Sequence, residues 1–230
     1  MTIVTRTLAD QAFEVIRERI LSAKIPPLSP IRQDALAEEL GISKIPLREA
    51  LARLEQHGLL QSHPNRGFVV PALSAGEAEE VFALRLKIEP EAAAHASVAA
   101  SDADRAVATA ALTALEGVAD GDAHRTVLLN RAFHLALVRP GGRQVTSQLI
   151  ERLHVLAERY VHMHLEPKGR HIRADREHRA LLKAWMARDP ERVSTLLAEH
   201  IAVTLDDLRK QLRNADEKPA PVMKAKKSAR

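Results

Sequence analysis

Residues 31–70 read IRQDALAEELGISKIPLREALARLEQHGLLQSHPNRGFVV, and the placing of apolar and turn-forming residues in this stretch decides the fold. Leu36 and Leu40 are four apart, which puts both on one face of a short helix beginning at Arg32, and Gly41 follows where a left-handed cap is needed. Ser43 then supplies an N-cap oxygen, Pro46 falls in the first turn where its missing N–H costs little, and Leu47, Leu51 and Leu54 line the inner face of a second helix that ends at Gly58. Two strand-prone runs, 59–62 and 68–70, flank His63, Pro64, Asn65, Arg66 and Gly67 and are expected to pair as a hairpin. Upstream, Leu8, Phe13, Ile16, Ile20 and Leu21 predict a helix over 8–23 that Pro26, Pro27 and Pro30 stop.

Two short helices meeting at a glycine turn, followed by a wing, form a helix-turn-helix pattern whose second helix lies in the major groove of DNA. Lys44 and Arg48 fall on the outer side of that helix while Leu47 and Leu51 face inward. Lysine and arginine reach phosphates or the guanine edge, Ile45 suits a thymine methyl, and the helix start offers free N–H groups to a phosphate. The wing tip 65–67 is placed to enter the minor groove, where negative potential favours Arg66. Helical hairpins with a glycine between them are also common in proteins that bind no DNA, and a salt bridge to a neighbouring glutamate is the lesser alternative for Arg48.

Beyond Pro71 the pattern changes. Ser74 caps a long Ala- and Glu-rich helix, and breaks at 101–102, 117–121, 140–142, 167–169 and 189–190 divide the rest into six helices joined by short connections, the signature of an antiparallel bundle. The expected fold is mainly α: an N-terminal winged helix-turn-helix over 1–73, an all-helical bundle over 74–214, and a basic tail over 215–230 that is too polar to fold. Composition agrees, since only 3% of the 230 residues are aromatic and glycines number 9. The formal charge of +4 is a poor guide to partners: residues 74–214 hold 20 basic and 20 acidic side chains, and the tail alone holds 5 against 2. The absence of cysteine removes thiol chemistry, disulfides and cysteine metal sites. No apolar run approaches the roughly 20 residues of a membrane span, and 1–23 has no signal-peptide pattern, so a cytoplasmic protein with no membrane partner is expected.

Eleven histidines invite a metal reading. His162 and His164 are two apart and point to different faces, and His57, His63, His95, His124, His154 and His171 lack an obvious partner set and are expected to be solvated or half-buried. Asn130 and His134 share one face of the third bundle helix, His178 lies midway along the fifth and His200 midway along the sixth. Three antiparallel helices can aim these four side chains into one cavity, as bundles do when they build metal sites. Spacing alone favours reading them as hydrogen-bonded core residues.

The 31–70 stretch resembles the winged helix-turn-helix of the GntR superfamily of bacterial transcription regulators, in its LAEEL-GIS-PLREAL core, its Gly58-Leu59-Leu60 exit and its Asn65-Arg66-Gly67 wing. The resemblance implies DNA contacts from Ser43, Lys44, Arg48, Arg66 and Gly67. Lys44 stands where the family more often has arginine, which keeps a phosphate contact and loses a forked contact to guanine. Arg85 and Glu89, the 130–134 segment NRAFH, Glu177-His178 and His200 are similar to the ligand-sensing FCD domain of the FadR subfamily, the six-helix count matching its VanR-like branch. That resemblance implies a divalent ion, zinc or nickel, held by Asn130, His134, His178 and His200, with Asn130 in place of the family's aspartate. It implies also a small carboxylate effector, for which Arg85 is the candidate partner unless it merely pairs with Glu89. A homodimer that represses or otherwise regulates an operator on double-stranded DNA is the expected function. Two other readings stay open: a metal-dependent hydrolase using three histidines, and a DNA-binding dimer with no metal or effector.

Overall fold

A computed structural model describes residues 6–22, 24–64, 66–119, 122–165, 167 and 169–216. Helix α1 (Leu8–Leu21) opens with a capping box in which the Thr7 hydroxyl accepts from the Asp10 N–H and the Asp10 carboxylate accepts from the Thr7 N–H. Helix α2 (Gln33–Leu40) stops at Gly41, whose φ of 64° is the left-handed conformation that glycine adopts without steric cost. Helix α3 (Lys44–Gln56) follows, then an antiparallel ladder of β1 (Gln61–His63) and β2 (Gly67–Val69) with Ser62 opposite Phe68, to which Pro30 adds a bridge at Val69. Phe13 and Ile16 of α1, Leu36 of α2, and Leu47, Leu51 and Leu54 of α3 form one apolar cluster, closed by Leu59, Leu60 and Val70. The three α3 leucines are fully buried, each contributing on the order of 1.5–3 kcal/mol.

A second apolar cluster is built by six helices: α4 (Ala75–Ala99), α5 (Asp102–Glu116), α6 (Ala123–Val138), α7 (Gln144–Leu165), α8 (Arg170–Met186) and α9 (Pro190–Asp216), with a 3-10 turn at Arg139–Gly141. Ser74 and Ser101 cap α4 and α5 through their hydroxyls. Phe82, Phe133, Tyr160 and Trp185 are the large side chains of this core, and Trp185 satisfies its indole N–H on the Leu137 carbonyl at 3.0 Å. Helix α4 sits centrally and packs on α6, α7 and α9, so side chains on its inner face meet those of three neighbours.

Several boundaries differ from the expectations. Helix α1 ends at Leu21 instead of 23, and Arg32 is the N-cap of α2 and not its first residue. The first strand begins at Gln61, because Leu59 donates its N–H back to the Leu54 carbonyl at 2.9 Å and Leu59 and Leu60 turn into the core instead of entering the ladder. The second strand likewise covers Gly67–Val69, one residue earlier than read. Helix α9 runs on to Asp216, past the expected end of the bundle at 214, and the remainder of the tail, 217–230, lies outside the described residues. No helix among the described residues is long and apolar enough to cross a membrane.

Candidate functional site

In the N-terminal half, the start of α3 and the wing share one surface. Ser43 holds the N-cap position, but its side chain makes no capping hydrogen bond, which leaves the hydroxyl and the first-turn N–H groups of α3 available to an outside acceptor. Lys44, Arg48 and Arg66 are exposed, as is Ile45, while Leu47 and Leu51 are buried beneath them. Together with Arg32, Gln33, Asp34 and Gly67 the three cations line a single open groove. Gly67 takes a φ of 69°, the left-handed turn that swings the chain from Arg66 into β2. Among the described residues Arg48 has no glutamate partner; its Nε approaches the Gln33 amide oxygen at a long 3.5 Å. Lys44 forms a 2.8 Å ion pair with Asp34, both side chains well exposed. Such a pair is weak in water and yields readily to a phosphate. Arg32, placed by the α2 cap and not by the recognition helix, is the groove cation the sequence reading missed.

In the helical half, α6, α8 and α9 bring His134, His178 and His200 together, one nitrogen of each lying within 4.8 Å of the others. Their rings are in contact, edge-on for His134 and His178 with centroids 5.4 Å apart and tilted for His178 and His200 at 4.8 Å. His134 Nδ1 lies 2.8 Å from a Glu89 oxygen and His200 Nδ1 lies 2.7 Å from a Glu177 oxygen. A carboxylate accepts and cannot donate, so each bond places a ring proton on Nδ1, and the neutral form of such a ring offers Nε2 as a lone pair. His134 Nε2 and both nitrogens of His178 are buried with no hydrogen-bond partner. Burial pushes His134 down to about 3, against the opposing pull of Glu89, and holds His178 well below the ordinary imidazole range, so both are neutral at pH 7. Buried polar nitrogens are normally satisfied. Three orphans in one cluster of neutral imidazoles suit a cation that accepts nitrogen lone pairs, and zinc, nickel and copper do so better than magnesium or calcium.

Beside this cluster is a small cavity of about 20 Å³, lined by Arg85, Asn130, His164, His200 and Thr204 with apolar neighbours such as Phe82 and Val161. Asn130 thus faces the cavity one helical turn before His134. Arg85 lines it too, and at the same time donates its Nε to Glu89 at 2.8 Å, so the ion pair and the cavity position coexist. Glu89 is the hub. It is fully buried and accepts from Arg85, from His134 and from His154 Nε2 at 3.0 Å. Burial by itself would raise its carboxyl, but Arg85 and the two imidazoles outweigh that cost and hold it ionised.

His154 is therefore a correction: expected to be solvated or half-buried, it is 3% exposed and belongs to this network. Its partner lies 65 residues away on another helix, and nothing within α7 signalled the pairing. His164 is buried at the cavity wall, with Asp207 at 3.8 Å.

The comparisons with known proteins fit both halves. The FCD domain family matches residues 80–203, and the family of bacterial regulatory proteins of gntR type matches residues 8–70. The HTH-type transcriptional regulator McbR of Escherichia coli is 30% identical over 168 residues, 71% of this chain and 76% of that one. The HTH-type transcriptional repressor GlaR of the same organism is 27% identical over 195 residues, covering 81% of this chain and 89% of its own. A solved structure of E. coli McbR/YncC superposes with a TM-score of 0.74 at 26% identity, covering 90% of this chain and all of that one. These are transcription regulators and not enzymes, which removes the hydrolase reading. The chain belongs to the GntR family of bacterial transcription regulators, as a member that carries an FCD domain behind its winged helix-turn-helix.

Proposed function

We propose that the protein is a cytoplasmic, homodimeric repressor whose hold on operator DNA responds to a small organic acid bound at a divalent metal site in the helical bundle. The observation that carries this reading is the set of buried, unpartnered imidazole nitrogens on His134 and His178 beside the oriented ring of His200. Each such atom costs about 1–3 kcal/mol; His57 and His124 each leave a single buried nitrogen unpaired elsewhere in the described residues, whereas three are gathered here on two rings in contact. His134, His178 and His200 would hold the ion, with Asn130 as a neutral fourth donor, and a bound divalent cation would supply a Lewis-acid anchor for a carboxylate. Arg85 faces the same cavity and offers that carboxylate a charged partner.

The 20 Å³ cavity accommodates little more than one water. An organic acid needs α6, α8 and α9 to part slightly, which gives effector binding a mechanical consequence. The domains divide at residue 73, so operator contacts by Ser43, Lys44, Arg48, Arg66 and Gly67 lie apart from the effector site and communicate with it only through conformation. One recognition helix reads too few base pairs to be specific, and two-fold pairing of chains supplies a second half-site. Repression, as opposed to activation, is favoured by the likeness to the repressor GlaR. The test is elemental analysis of the purified protein followed by a thermal-shift screen of small carboxylates. One zinc or nickel per chain and a selective acid support the reading; metal-free protein with no response to any acid refutes it.

A further inference from the structure

The two apolar clusters are joined by a buried ion cluster that neither DNA contact nor metal ligation requires. Arg17 of α1 is 2% exposed and Glu158 of α7 is 1% exposed. Arg17 donates to Glu158 through two nitrogens, Nε to Oε2 at 3.1 Å and Nη2 to Oε1. Arg131 of α6 donates to the same Oε1 at 2.8 Å. One carboxylate is thus held by an arginine from each half of the chain. A charged pair is rarely buried this fully between two parts that do not need each other, because each ion loses several kcal/mol of solvation and recovers it only in this geometry. Close packing surrounds the cluster: a Cβ added to Gly58, at the exit of α3, would come within 2.8 Å of Leu156 on α7. Next along α7, the Tyr160 hydroxyl accepts from the N–H of Ser74, the cap of α4, and donates to Glu77.

The cluster also lies one helical turn from the histidine site on two elements at once. On α7, Glu158 follows His154 by four residues, and His154 shares Glu89 with His134. On α6, Arg131 directly follows Asn130 and precedes His134 by three. Any shift of α6 against α7 at the histidines moves Arg131 relative to Glu158, and Glu158 is the point where α1 is fastened.

We propose that Glu158 is the docking residue that ties the DNA-binding half to the bundle, and that its division between Arg17 and Arg131 transmits the state of the histidine site to the winged helix. The docking half of this statement stands on the contacts above; the transmitting half rests on the metal-site reading. Arg17→Gln removes one arm of the clamp and leaves every histidine in place. Arg19→Gln, on the same helix as Arg17, removes the more exposed ion pair to Glu39 of α2 and serves as the control.

The readouts on the full chain are the rate of proteinase K cleavage within 71–74 and amide exchange of α1, each in EDTA and in zinc chloride. In EDTA, Arg17→Gln is expected to speed cleavage and α1 exchange by at least about tenfold, with Arg19→Gln near wild type. Zinc is expected to change α1 exchange in the wild type and in Arg19→Gln but not in Arg17→Gln, although Arg17→Gln still binds zinc with wild-type stoichiometry. Arg17→Lys keeps the charge, loses the fork and should fall between, so a folding defect in one variant does not decide the matter. Unchanged cleavage in Arg17→Gln overturns the docking claim, and a preserved zinc effect on its α1 overturns the transmission claim. A wild type that takes up no zinc overturns the metal reading instead, and cleavage in EDTA, which needs no ligand, still judges the docking.

Discussion

Replacing His178 with leucine separates a ligand site from an ordinary core. In this structure both nitrogens of His178 are buried without partners, amid Phe133, His134 and His200. Each unsatisfied buried polar group costs about 1–3 kcal/mol, and an imidazole carries one donor and one acceptor. Leucine removes both penalties in a side chain of similar bulk, with shape mismatch returning about 1 kcal/mol. The metal-free variant is therefore expected to be at least about 1 kcal/mol more stable than the metal-free wild type, a rise of at least about 2–4 °C in the bundle's melting temperature. Zinc or nickel acts oppositely on the pair. At a free metal concentration a hundred times the dissociation constant the wild type gains about 2.7 kcal/mol, and the variant, short of one imidazole, gains far less. Scanning calorimetry in EDTA and in excess metal reads all four states. A variant that melts well below the wild type in EDTA, as a well-satisfied core histidine would dictate, refutes the reasoning, as does equal stabilisation of both proteins by metal.

Further predictions concern other parts of the chain. Arg48→Ala and Arg66→Ala should each weaken operator binding by about 1–3 kcal/mol in an anisotropy titration and flatten its salt dependence, without changing the melting temperature. Leu51→Ala, fully buried in α3, should cost about 2–5 kcal/mol of stability, whereas Ile45→Ala, at 72% exposure on the same helix, should leave stability unchanged and affect only DNA binding. Acid should destabilise the fold early. Burial holds His57, His154 and His164 below the ordinary imidazole range, His164 at about 4. The unfolded chain takes up their protons first as pH drops below about 6.5, so their contribution is complete above that pH and lost toward 4. Urea midpoints should accordingly be flat between pH 7 and 8 and fall between 6.5 and 4, and a midpoint that rises on acidification contradicts the assignment.

What the sequence revealed follows from how local each signal is. The Leu47, Leu51 and Leu54 spacing, Gly41 and Ser43 carry the helix-turn-helix within some fifteen residues, and helix breaks such as Pro140-Gly141-Gly142 and Asp189-Pro190 mark the bundle without reference to anything distant. The histidines of α6, α8 and α9 were legible because their phases on three helices agree and the family likeness covers the same positions. Glu89 as the shared acceptor, His154 behind it and Glu158 between Arg17 and Arg131 were not, because each pairing spans 27 to 141 residues and depends on how helices cross. A buried carboxylate and an exposed one look alike in sequence. The strand starts were misread for a related reason: Leu59 and Leu60 have strand-compatible character, but the core beneath α3 claims them.

Occupancy of the histidine site is expected to change affinity for DNA at the winged helix. The most direct test is an operator titration by fluorescence anisotropy, at fixed salt, of wild type and His178→Ala, with and without zinc and the acid selected by thermal shift. The wild type should change operator affinity about 5- to 150-fold when metal and acid are present together, the range of a 1–3 kcal/mol coupling. His178→Ala should bind the operator as the metal-free wild type does and ignore both ligands. A wild type indifferent to metal and acid, or a variant that responds as fully as the wild type, would show that the histidine site does not control DNA binding.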